Sequence, residues 1–69
     1  MNIIAILGLI AKAVSVVETA IAVGKEAAPA IEVIKDLVTG AQTGMVTDDQ
    51  LARTEALLDS MMANFNTPI

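Results

Sequence analysis

"IIAILGLIAKAVSVVETAIAV", residues 3–23, is the longest predominantly apolar stretch of this 69-residue chain, and its two readings lead to two different proteins. Its length is enough to cross a bilayer, because about 20 residues span the hydrocarbon core. Lys12 and Glu18 interrupt it, however. Each charge at mid-membrane costs on the order of 2.5–3.5 kcal/mol, so a lone lipid-facing span is marginal. A secretory signal fits poorly, because no positively charged side chain precedes the apolar run. On a helical wheel Gly8, Ala11, Lys12, Ser15, Glu18, Thr19, Ala22 and Glu26 fall within one arc of roughly 120°. Most of the remaining surface is Ile, Leu, Val and Ala. The pattern predicts an apolar helix that packs against other helices, with Ile3, Ile6, Leu7, Ile10, Val14, Val17 and Ile21 as its self-association surface.

The polar stripe of the same helix needs its own account. Ala11, Ser15 and Thr19 recur every four residues, a spacing that permits close helix–helix approach. Neither Lys12 nor Glu18 has an opposite charge three or four positions away. If buried, both need partners on another helix or another subunit; if exposed, the stripe faces water. Lys12, Ser15, Glu18 and Thr19 are therefore the candidate polar inter-helix contacts. A stripe lining a water-filled pore is the third reading.

Downstream, "KEAAP" (25–29) is the first break, since Pro29 cannot donate a backbone hydrogen bond and fits the first turn of a fresh helix. "AIEVIKDLV" (30–38) then sets Ile31, Ile34 and Val38 on one side, with Val33 and Leu37 beside them. Gly40 reads as a C-cap and residues 40–46 as a loop. "VTDDQLARTEALLDSMMANF" (46–65) opens with a capping box, Thr47 as N-cap and Gln50 at N3, and Val46 is placed to staple onto Leu51. Asp48 and Asp49 suit the positive end of the helix dipole, and Asp49–Arg53 is a favourable i,i+4 pair. Glu55 and Asp59 repel mildly. Leu51, Leu58, Met62 and Phe65 form a stripe expected to dock a partner, and no anchoring or targeting signal is expected after "NTPI".

Composition narrows the function classes. A chain this short rarely draws more than roughly 3–5 kcal/mol from a single core. There is no Cys to form a disulfide and no His for the common zinc sites, so oligomerisation or a lipid phase is the stabiliser left. The same absences remove the usual nucleophile–base pairs, and helix-start electrostatics accounts for Asp48 and Asp49, so no catalytic residues and no enzyme activity are expected. "TDDQ" lacks the alternating oxygen ligands of a calcium loop, and neither metal nor cofactor is expected. Met45, Met61 and Met62 read as gap-filling apolar residues. The net charge of −4 argues against direct nucleic-acid binding. Past Gly40 only Arg53 opposes Asp48, Asp49, Glu55 and Asp59, which makes that third the acidic, soluble part.

The apolar opening "MNIIAILGLI" and the ending "VTDDQLARTEALLDSMMANFNTPI" resemble small bacteriophage-encoded proteins, in which a (V/I)TD-x-(Q/E)L…LLD…FN-x-PI ending recurs. The resemblance covers the last 24 residues best and implies a short virion-associated protein with larger phage structural proteins as partners. In length and in its apolar first half the chain is also similar to holins, the small phage lysis proteins, though it lacks their basic tail and clean span. The expectation is an all-α helical oligomer. Residues 1–39 form an apolar assembly or membrane segment broken near Pro29, 40–46 a loop, and 47–69 a capped acidic helix and tail. Its expected place is the virion; the alternative is a pore-forming protein of the bacterial inner membrane.

Overall fold

The computed structural model describes residues 2–66, and within them the chain is three α-helices with no strand: α1 (Ile3–Val23), α2 (Ala28–Thr43) and α3 (Asp48–Phe65). The tail from residue 67, including the last part of the phage-like ending, lies outside the described residues. The helices run up, down and up along a body measuring 40 × 17 × 15 Å. α1 is the centre: α2 and α3 each pack along it, while they barely meet each other.

Each boundary has a local cause. The Asn2 Oδ1 accepts from the Ala5 N–H at 3.1 Å, which caps the start of α1. Gly24, at φ 73°, ends that helix; the Lys25 N–H donates to the Ala20 carbonyl at 2.8 Å, the long bond of a Schellman motif. α2 starts without a side-chain cap but with Pro29 in its first turn, as the break at "KEAAP" predicts. Thr47 caps α3 by accepting from the Gln50 N–H at 3.1 Å, and Val46 and Leu51 on either side join the core.

One expected boundary is wrong. Gly40 does not cap α2, and residues 40–43 are not loop; the helix continues to Thr43 and Gly44, at φ 70°, caps it. Mid-helix glycine costs roughly 0.5–1 kcal/mol relative to alanine, yet here the position requires it. A β-carbon on Gly40 would collide with the buried Val46 side chain, so the return of the chain into α3 depends on a missing methyl. Thr43 closes the last turn by donating to the Thr39 carbonyl at 3.1 Å. Gly40→Ala is expected to lower stability by about 1 kcal/mol despite its better helix propensity, because valine is stiff at χ1 and cannot turn aside freely. A thermal melt at or above that of the parent would show that Val46 relaxes without cost.

The core is built along one seam of α1: Ile6, Leu9, Ala13, Val16 and Ala20, spaced three and four residues apart. Ala30, Val33 and Leu37 of α2, Leu58 and Phe65 of α3, and Val46 complete it. Ala13, Ala20 and Ala30 are wholly buried, so the close helix approaches occur at these alanines. The expected small-residue stripe plays no such part. Ala11 and Ser15 are exposed, and the Thr19 hydroxyl donates along its own helix to the Ser15 carbonyl at 2.9 Å.

Candidate interaction surface

The chemistry-bearing side chains gather where α3 crosses the middle of α1. Lys12 reaches from α1 to Asp59, in direct contact, and to Glu55 at 4.0 Å. The hydrogen bond to Asp59 raises the lysine pKa, desolvation opposes it, and the two negative charges add to the rise. Glu55 and Asp59, one turn apart, are thus relieved of their mutual repulsion by a cation from another helix. Of the two outcomes the sequence leaves open, Lys12 takes the inter-helix partner, but within the same chain. Two acidic groups on one helical face, and a lysine with no local partner, were the readable signs of this contact.

The other charges are spread thinly. Arg53 and Asp49 lie 3.7 Å apart with both side chains more than four-fifths exposed, a geometry that contributes little. Glu18 is exposed, and no charged group lies within 4.0 Å of it among the described residues. Among the described residues none that is polar or charged is buried, and no group of three acidic or metal-binding side chains converges. Where α2 and α3 part, an open cleft of about 530 Å³ is lined by Val33, Asp36, Thr47, Asp49, Gln50, Arg53, Thr54 and Leu57. It is wide open to water.

The conspicuous feature is apolar. Besides its inner seam, α1 carries a second one made of Ile3, Leu7, Ile10, Val14, Val17 and Ile21, at alternating spacings of four and three residues. Ile10 and Val17 are half-buried against α2's side of the core, while Ile3, Leu7, Val14 and Ile21 stand in solvent, Leu7 at 59% and Ile21 at 70% of full exposure. α2 has a matching outer seam of Ile31, Ile34, Val38 and Ala41; Ile31 and Val38 are exposed, and Ile34 and Ala41 line the core edge. By helix geometry, with α3 on the far flank of each helix, these two seams lie side by side as one two-helix face.

The expected self-association set therefore divides. Ile6 is wholly buried and holds the chain's own fold, and Ile10 and Val17 are partly committed to it. The expected partner-facing stripe of α3 turns inward as well: Leu58 and Phe65 are buried, and Leu51 and Met62 pack on the same core, so α3 docks on its own α1. What remains outside on α3 is charged, polar or alanine apart from Leu57. No protein family, curated protein or solved structure matches the chain.

Proposed function

We propose that this chain is a small structural, self-associating component of a bacteriophage particle rather than an enzyme. The observation that carries self-association is the apolar face of α1 and α2. On this face four large α1 side chains and two on α2 stay in solvent although the fold already has a core. Single exposed apolar residues are ordinary, but a continuous row of this size marks a contact surface. The place in a phage particle rests on the resemblance of the "VTDDQL…LLD…FNTPI" ending. Larger phage structural proteins are its natural partners, and the acidic α3 forms the water-facing side.

A second reading has its own support. α1 is 21 residues long, its most apolar 18-residue window has a mean hydropathy of 2.0, and only 28% of that window is buried within the chain. A holin-like protein would place this helix across the bacterial inner membrane. Doing so strands Lys12 in lipid away from Glu55 and Asp59, or carries those carboxylates in with it.

Fractionation separates the two. The untagged full-length chain is expected to remain in the soluble fraction as an assembly of defined mass after alkaline extraction. Release from the extracted membrane pellet by detergent alone would transfer the assignment to the membrane protein. Mass spectrometry of purified particles of a phage encoding the chain is expected to find it in stoichiometric amount, and its absence there would remove the virion from the proposal.

A further inference from the structure

We infer that the occupant of the α1–α2 face is a second copy of this chain, related by a two-fold axis that runs parallel to the helices. This deepens the self-association reading and rests on it. Each copy lays its α1 over the α2 of the other, and the four helices form an up-down-up-down bundle with α3 of each copy outside.

Area supports a dimer. The six exposed side chains of the face, 41–70% exposed, offer about 500 Å² per copy, the upper end of what monomers leave bare. A standard interface takes about a tenth of a small protein's surface, which for 4450 Å² is about 450 Å². Two copies together bury about 1,000 Å², the threshold for a specific contact. The alternating three- and four-residue spacing supplies knobs and holes on both helices, so the face is complementary to itself.

Charge chooses the axis. Glu18 borders the face on the α1 edge away from α2, and Lys35 borders it on the α2 edge away from α1. With the axis parallel to the helices, each Glu18 edge meets the partner's Lys35 edge. An axis across the helices instead sets α1 on α1 and Glu18 edge against Glu18 edge. Lys35 is otherwise held only by exposed Glu32 at 3.9 Å, so it is free to turn to a partner. Lipid is a poorer occupant: the face is bordered by charge on both sides, and the chain carries net charge −4 with neither Trp nor Tyr to anchor it.

The test uses the full chain, sized by sedimentation equilibrium with helicity followed in parallel. The wild type is expected at twice 7.1 kDa, 14.2 kDa. Leu7→Glu on α1 and Val38→Glu on α2 are each expected to raise the dimer dissociation constant at least tenfold with helicity retained, whereas Leu57→Glu on α3 leaves it unchanged. Loss of assembly with Leu7→Glu but not Val38→Glu would overturn the α1–α2 pairing while leaving self-association through α1 intact. A monomeric wild type would overturn both, and disappearance of the dimer into neutral phosphatidylcholine vesicles would assign the face to lipid.

Because the chain has no cysteine, a second measurement avoids destabilising substitutions. The double variant Glu18→Cys/Lys35→Cys is expected to oxidise to a covalent dimer, and Glu18→Cys alone is not. Self-linking of the single variant would overturn the parallel axis, and failure of the double variant would overturn the pairing.

Discussion

Leu58→Ala removes most of the helical circular dichroism of the protein near room temperature. Leu58 is the only large side chain of α3 with no exposed surface, and it stands where α3 crosses the centre of α1. Truncating a buried leucine to alanine costs 2–5 kcal/mol through lost transfer energy and the cavity left behind. A 69-residue chain without a disulfide has a reserve of about 3–5 kcal/mol, so one substitution consumes most of it. Phe65 at the far end of the helix, with the half-buried Leu51, Met61 and Met62, cannot then keep α3 in place. The measurement is a thermal melt on chains at equal concentration, since any self-association would add concentration-dependent stability. A midpoint within about 5 °C of the parent would mean that α3 is held chiefly by something other than this side chain.

Ala13→Leu is expected to have the second-largest effect, in the opposite physical sense. Ala13 sits at the middle of the inner seam of α1, wholly buried, with Ile6 and Leu9 on one side along the helix and Val16 and Ala20 on the other. Leucine and alanine are both good helix formers, so local propensity barely changes. The added atoms must instead push α2 or α3 off α1, and overpacking of this kind costs about 1–3 kcal/mol or more. Ala22→Leu, the same change on the exposed face, is the control and is expected to stay within about 0.5 kcal/mol of the parent. Equal melting midpoints for the two variants would show that the helices have slack at Ala13.

These residues also show what could be read from sequence and what could not. The Thr47 cap, the restart at Pro29 and the all-helical architecture were legible because each depends on chemistry within one turn. The inner and outer seams of α1 were not separable, because both are apolar and share the same period. Weight given to Ile, Leu and Val drew attention to Leu7, Val14 and Ile21, which stay outside. The burial of Ala13 and Ala20 depends on how close two helices come, a property of the pair and not of either segment. Gly40 misled for a similar reason: its methyl-free surface serves Val46, six residues on, and not a helix end. Lys12, lacking a local partner, left both a contact and exposure to water open, and the contact it makes is with α3.

An odd number of alternating helices has a consequence for anything built from this chain. α1 begins and α3 finishes toward opposite ends of a body 40 Å long, because α3 runs alongside α1 in the same sense. The molecule is therefore an arrow: its two ends are not equivalent. A pair related by an axis along the helices keeps both arrows pointing the same way. Such a unit would keep one direction along its length, which a pair pointing in opposite senses would lose.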